Sequence, residues 1–254
     1  MITVVIVGTG NVAQNLYWAF KEEPQVVIKQ VVGRTQSHLS FVAQTVGITT
    51  DFSKIEKADV YILAVSDDAI STVSKQLRIK DGLVVHTSGA TNINSLDDHK
   101  RAGVFYPLQT FTQGKIIPFT SIPIVVEATS EEDYRLLEKL AKLLSNTVVR
   151  IASEQRQKLH VAAVFANNFS NYMYTLAAEV CADHDLDFEL LKPLIAETSA
   201  KLKELSPIMA QTGPAKRGDQ QTLHHHLTLL KDKQQREIYT LLSNAIKETH
   251  GKKL

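Results

Sequence analysis

The strongest constraint on this chain lies at its amino terminus, where six consecutive β-branched residues, Ile2-Thr3-Val4-Val5-Ile6-Val7, run directly into Gly8-Thr9-Gly10-Asn11-Val12-Ala13. β-Branched side chains favour extended backbone, and residues 12–22 that follow carry helical periodicity. A strand joined to a helix by G-x-G-x-x-A is the pattern of a phosphate-binding turn in a dinucleotide site. The first glycine permits the tight turn, the second lets backbone approach a pyrophosphate, and the small last residue lets helix and strand pack closely. The helix N-terminus then offers unpaired N–H groups to an anion. Gly8, Thr9, Gly10, Asn11 and Val12 are therefore expected to hold a cofactor; the alternative is a glycine turn without a ligand.

The same rhythm continues through the first half. Strands are expected near 2–7, 26–32, 60–65 and 83–86, and helices near 12–22, 37–46, 67–77 and 131–144. Apolar residues at consecutive positions mark strands covered on both faces, hence a parallel sheet with crossover helices. The runs Val104-Phe105-Tyr106 and Ile122-Pro123-Ile124-Val125-Val126 extend that sheet, with Pro123 suited to an edge or to a strand start. Beyond residue 150 helical periodicity takes over, at about 153–182, 187–210, 220–231 and 233–249. Asp187 and Asp219 are the expected N-caps, and Gly213-Pro214 and Gly218 the breaks. The expected fold is α/β: an N-terminal Rossmann domain, a doubly wound parallel sheet, over residues 1–150, followed by an all-α C-terminal domain over residues 151–254.

Composition narrows the partners. Of 254 residues, 44% are hydrophobic and 22% charged, enough to bury a core. Lys and Arg total 28 against 27 Asp and Glu, a net charge of +1, which leaves no field to recruit nucleic acid or an anionic membrane. A small ligand is the expected partner. No apolar run approaches the roughly 18 residues of a membrane helix, and the amino terminus reads as a first strand rather than a signal peptide, which suits the cytoplasm. Cys181 is the only cysteine, which rules out an internal disulfide and a cysteine-based zinc site. His224-His225-His226 falls in a helical stretch, where neighbours point about 100° apart and do not converge on one ion. No metal is expected.

The second strand ends in Gly33-Arg34-Thr35-Gln36-Ser37, where an NAD-dependent enzyme usually carries an acid for the ribose 2′-hydroxyl. The acid is missing. Arg34 instead supplies a guanidinium for a 2′-phosphate and for the adenine face, with Thr35 and Ser37 as hydroxyl donors. NADP is thus the expected cofactor, unless Arg34 is only a solvated loop charge.

Ligands of such a sheet sit beyond the carboxyl ends of its strands. Val65 and Ser66 are expected to border the cofactor, while Asp67 and Asp68 suit either a helix cap or catalysis. After the strand at 83–86 comes Thr87-Ser88-Gly89-Ala90, in which Ser88 fits a contact to cofactor and substrate or a simple turn. His86 fits a structural imidazole, and Tyr106-Pro107-Leu108-Gln109-Thr110-Phe111 a pocket wall or a rigid apolar loop.

The first helix of the second half is largely apolar between Leu159 and Cys181, yet carries His160, Asn167, Asn168 and Asn171. At about 100° per residue, Asn167 and Asn171 lie about 20° to either side of His160, and Asn168 about 80° away. A polar stripe on a buried helix faces a polar cavity, here the cofactor side, or bonds another helix across a subunit interface. Arg217, in the turn before Asp219, suits an anionic substrate or a pairing with Asp219.

Assembled, the segments Gly8-Thr9-Gly10-Asn11-Val12-Ala13, 58–65, 86–89, 107–111, 160–168 and Gly213-Pro214 with Arg217-Gly218-Asp219 resemble one group of enzymes. These are the NADP-dependent oxidoreductases whose Rossmann domain precedes a helical domain of the 6-phosphogluconate dehydrogenase type. Pyrroline-5-carboxylate reductase, ketopantoate reductase and the deazaflavin-dependent NADP reductases are relatives, and the chain looks closest to a branch whose carboxyl-terminal half is a domain of unknown function. The resemblance implies hydride transfer on a small substrate, a ketopantoate-like 2-oxo acid among them. In the ketopantoate reductase relatives the first long helix of the second domain carries a lysine with an asparagine four residues later. Here Lys158 is followed at that spacing by Ala162 and His160 by Val164, so His160 stands in as the proton donor.

The expected activity is NADPH-dependent reduction of a C=O or C=N group in a small anionic substrate, a 2-oxo acid or a cyclic imine. His160 would be acid or imidazole donor, Asn168 and Ser88 would orient the substrate, and Arg217 would hold its charge. The other reading is a non-catalytic NADP-binding sensor, for which the missing lysine–asparagine pair speaks. Apolar faces on four predicted helices imply a homodimer through the helical domain in either case.

Overall fold

A computed structural model gives the fold and describes residues 1–250. The chain divides into two compact units, Met1–Asn167 and Asn168–Leu254. The first is built on strands β1 (Ile2–Val7), β2 (Val26–Val32), β3 (Gly47–Thr49), β4 (Val60–Leu63), β5 (Leu83–His86), β6 (Ala102–Pro107), β7 (Ile124–Ala128) and β8 (Val148–Arg150). They form one sheet in the order β3-β2-β1-β4-β5-β6-β7-β8. The order reverses between β1 and β4, the position at which a doubly wound sheet opens a crevice for ligand.

Helices α1 (Asn11–Lys21), α2 (Ile70–Gln76) and α3 (Glu131–Lys142) cover the sheet. The consecutive apolar residues of each strand split between its two faces. Val4 and Ile6 of β1, with Val60 and Ile62 of β4, join the core under α1 and α3, where Leu16, Phe20, Leu137 and Leu140 are buried. Val5, Val7, Tyr61 and Leu63 point the other way and pack with Ile70 and Val73 of α2. Burial on both faces is the physical reason these strands lack polar alternation.

Several expectations need correction. The helix expected at 37–46 is a 3-10 turn, Gln36–Leu39, followed by irregular chain in which Ala43 N–H donates to Tyr17 Oη at 2.8 Å. Leu39 is the buried residue of that turn, too little apolar surface to seat a helix. The short strands β3 and β8 carry no signal in the sequence because three residues are too few for a periodic pattern. β7 runs antiparallel to β6, whereas the other pairings are parallel. The segment 108–123 holds only a 3-10 turn, Phe119–Ser121, so no crossover helix carries the chain back to the start of the sheet. Pro123 precedes β7 directly, at a strand start.

The helix expected at 153–182 is interrupted. It comprises α4 (Ser153–Ala163), a π-helical turn at Val164–Phe169, and α5 (Ser170–Asp183). The region expected as one helix at 187–210 breaks into a 3-10 turn capped by Asp187, then α6 (Lys192–Ala200), a 3-10 turn and α7 (Pro207–Ala210). Ser206 caps α7 and Pro207 cannot continue the preceding turn. α8 (Pro214–Arg217) ends at Gly218 with φ +71°, Asp219 caps α9 (Gln220–Leu229) through Thr222, and α10 (Lys233–His250) closes the second unit. No described helix is long and apolar enough to cross a membrane.

One buried polar network anchors α4 within the first unit. Arg156, fully buried, pairs with Glu127 of β7, donates to the Thr91 carbonyl and reaches Ser153 Oγ at 3.0 Å. Glu127 in turn accepts from Ser153 N–H at 2.9 Å and Ser153 Oγ at 2.7 Å, and Ser153 Oγ accepts from Ile93 N–H at 3.0 Å. Neither Arg156 nor Glu127 stood out in the sequence. Removing one member leaves the other without its counter-charge, so Arg156→Met should cost about 3–5 kcal/mol, read as a lowered urea midpoint with an unchanged m-value.

His86, the last residue of β5, is a buried structural imidazole whose Nδ1 accepts from Ser88 N–H at 3.2 Å. Burial, and secondarily the Arg156 guanidinium, lowers its pKa from 6.5 to about 4, a weak interaction with Asn92 backbone opposing. Below the unfolded value the unfolded chain binds a proton that the native chain refuses, so stability falls from about pH 6.5 to about pH 4 and levels off beneath. Urea unfolding at pH 7 and about pH 4.5 should show His86→Gln losing about 2 kcal/mol less than the wild type.

Candidate active site at the carboxyl edge of the sheet

The glycine loop meets the end of β4 at the reversal point. Gly8 has φ +133°, and a Cβ there would stand 2.1 Å from the Ala64 carbonyl oxygen, so no other residue fits without displacing backbone. Its N–H donates to Val32 O at 2.8 Å, and Gln14 Nε2 donates to Thr9 O at 3.0 Å, which fixes the loop. A Cβ on Gly10 would meet nothing within 4 Å. Gly10 is also the N-cap of α1, with extended backbone, no side-chain cap and no acid in the first turn. The helix therefore presents uncapped N–H groups and the positive end of its dipole beside open space.

Arg34, Thr35 and Ser37 are exposed in the turn after β2, with no acid among residues 33–37. An anion-binding helix end, room at Gly10, and a cation with two hydroxyls fit a dinucleotide bearing a 2′-phosphate. Val65 is half-buried, and Ser66 is the N-cap residue of the 3-10 turn Asp67–Ala69, so both aspartates occupy a first turn. The Asn11 amide is engaged elsewhere: its Nδ2 donates to Phe111 O at 2.9 Å. With Asn15, whose Oδ1 accepts from Ile117 N–H at 3.0 Å, it ties the β6–β7 loop to the start of α1.

The β5–β6 loop docks along one face of α4. Ile93 N–H meets Ser153, Thr91 O meets Arg156, Ala90 O accepts from Gln157 Nε2 at 2.8 Å, and Gly89 lies against His160. Positions 153, 156, 157 and 160 form one helical stripe. Ser88 Oγ accepts from Ala90 N–H at 3.1 Å and Thr91 N–H at 2.9 Å, the geometry of the turn former, with its own hydroxyl hydrogen still to donate. His160 Nδ1 lies 3.2 Å from Tyr106 Oη, and the rings meet edge to face at 71°. Burial, then the Asp67 carboxylate, raises the Tyr106 pKa. Asp67, Ser88, Gly89, Tyr106 and His160 thus gather where β4, β5 and β6 end; the sequence offered Tyr106 as part of a pocket wall or a rigid apolar loop.

The remaining residues belong to the second unit. Asn168 and Asn171 are exposed, as is Asn167 at the end of the first. The angular spacing assumed for them holds only for uninterrupted α-helix, and the π turn widens the coil between His160 and Asn171. Arg217 is exposed, close enough to Asp219 to help hold that carboxyl below its usual range after the stronger effect of the Thr222 bonds. Of the three histidines, His226 bonds Tyr239 Oη at 2.7 Å, and His224 and His225 are exposed.

Comparison with known proteins agrees with this fold. Residues 122–246 match the domain of unknown function DUF2520. No curated protein matches the chain. A Bacteroides fragilis protein assigned as an NADP oxidoreductase is 38% identical, with a TM-score of 0.87 over 97% of this chain and 98% of that one. A reductive aminase from Aspergillus terreus in complex with NADPH and ethyl levulinate shares the fold at 15% identity, TM-score 0.71, over 99% and 95% of the two chains. Pyrroline-5-carboxylate reductase from Streptococcus pyogenes does so at 14% identity, TM-score 0.65, over 97% and 98%. The chain belongs to the family of the Bacteroides fragilis protein, NADP oxidoreductases in which a Rossmann sheet is followed by a helical carboxyl-terminal domain.

Proposed function

We propose that the protein is an NADPH-dependent reductase of a C=N or C=O group in a small anionic substrate, a cyclic imine or a 2-oxo acid. The observation that carries this reading is the His160 imidazole, held by Tyr106 and Gly89 beside the strand ends at which a dinucleotide sheet binds its ligands. The imine class is favoured by the fold shared with a reductive aminase and with pyrroline-5-carboxylate reductase.

Arg34, Thr35 and Ser37 would hold the adenosine end of NADPH, and the loop Gly8 to Val12 its pyrophosphate. Val65, Ser66 and Ser88 would border the rest. When bound, the cofactor supplies a hydride to the substrate carbon. His160 donates a hydrogen bond from its ring N–H to the substrate oxygen or nitrogen as charge develops there, and the proton that completes the product comes from solvent. Asn168 and Ser88 would orient the substrate, and Arg217 would hold its negative charge. Exposed Leu186, Leu190, Leu194, Leu202, Ile208 and Met209 support a homodimer through the helical unit.

A second reading, an NADP-binding sensor, draws on Lys158, whose ammonium is paired with Glu154 at 2.7 Å on an exposed face of α4. NADPH consumption with a panel of cyclic imines and 2-oxo acids separates the two: binding without turnover favours the sensor. On the substrate found, His160→Gln should lower kcat about 100-fold or more while NADPH affinity changes less than about twofold. Equal losses in both would remove His160 from the reacting site. Arg34→Ala should weaken NADPH about tenfold and leave NADH nearly unchanged in fluorescence titrations; equal losses for both nucleotides would overturn the 2′-phosphate assignment.

A further inference from the structure

Tyr106 is 8% exposed, and its raised pKa means that the phenol keeps its proton across the working range. A buried O–H needs an acceptor. Among the described residues, the acceptor within hydrogen-bonding distance of Tyr106 Oη is His160 Nδ1, at 3.2 Å. A neutral imidazole has one protonated nitrogen, so an Nδ1 that accepts leaves the hydrogen on Nε2. Gly89 makes room for the pair: a Cβ there would lie 2.6 Å from His160 Nδ1 and 2.7 Å from Tyr106 Cζ. The Nδ1 edge of the ring is thereby enclosed by Tyr106 and Gly89, and the half-exposed imidazole turns its other nitrogen away from them.

We infer that Tyr106 is a positioning residue that fixes His160 in its Nε2–H tautomer, so that the neutral imidazole presents an N–H rather than a lone pair to the substrate's oxygen or nitrogen. The opposite tautomer would set a lone pair against the substrate's lone pair and lose the donor. The catalytic consequence rests on the reductase reading; the tautomer does not. Other charged or titratable groups lie at the same strand ends. Asp67, after β4, and Arg156, one turn earlier on α4, act on the Tyr106 phenol in opposite senses, and His86, at the end of β5, is neutral above about pH 4.

Long-range proton–nitrogen correlation spectra of the full chain labelled with 15N-histidine, at about pH 8 where an ordinary imidazole is neutral, read the tautomer directly. The His160 signals are assigned by their loss in H160Q. The wild type should show the Nε2-protonated form, and Y106F a mixture of both tautomers. A wild-type ring protonated on Nδ1, or a Y106F spectrum identical to the wild type, overturns the assignment. Kinetics then test the consequence: Y106F should lower kcat about tenfold with KM for NADPH within about twofold, and unchanged kcat despite a changed tautomer overturns the positioning role. If no substrate is reduced by the wild type, the reductase reading fails, while the spectra still decide what Tyr106 does.

Discussion

The buried network of Arg156, Glu127, Ser153 and the Thr91 carbonyl is the interaction on which the candidate site depends. It joins the end of β7, the β5–β6 loop and the start of α4, three segments remote in sequence. A buried ion pair contributes little to stability beyond what apolar packing would give, because both ions are desolvated. Its effect here is geometric. A guanidinium with a fixed fork of donors accepts few arrangements of its partners, so Arg156 sets the rotation of α4, and His160, one turn later on the same face, inherits that rotation.

The nucleotide loop depends on a different constraint, close approach of backbone. Gly8 sits where β1 and β4 separate, against the Ala64 carbonyl, and the turn it allows aims the N-terminus of α1 at the open side of Gly10. The antiparallel return of β7 adds to this arrangement. Because residues 108–123 form no crossover helix, they are free to lie along α1, where Asn11 and Asn15 bond their backbone. Two asparagines in the first turns of a helix thus organise a loop about a hundred positions away.

Much of the fold was legible because its signals are local. β-Branched runs, the glycine turn and the loss of alternation named the sheet and its cofactor class, and Asp187 and Asp219 marked helix starts through their own side chains. The misread places have non-local causes. The stretch 37–46 has a helical pattern, but the turn at Gln36–Leu39 buries only Leu39. The π turn at Val164–Phe169 inserts extra coil without any proline or glycine to announce it, which voids angular arithmetic across it.

The sequence by itself determined the sheet, the glycine loop, the absence of an acid at the end of β2 and the helical character of the second half, since each follows from propensity, periodicity or a short motif. Only the tertiary structure decided which polar residues work together. Arg156, Glu127 and Tyr106 are unremarkable as letters, and His160 is one histidine among nine. Their roles come from burial and from distances between segments far apart in the chain, which depend on packing and leave no periodic trace in the sequence.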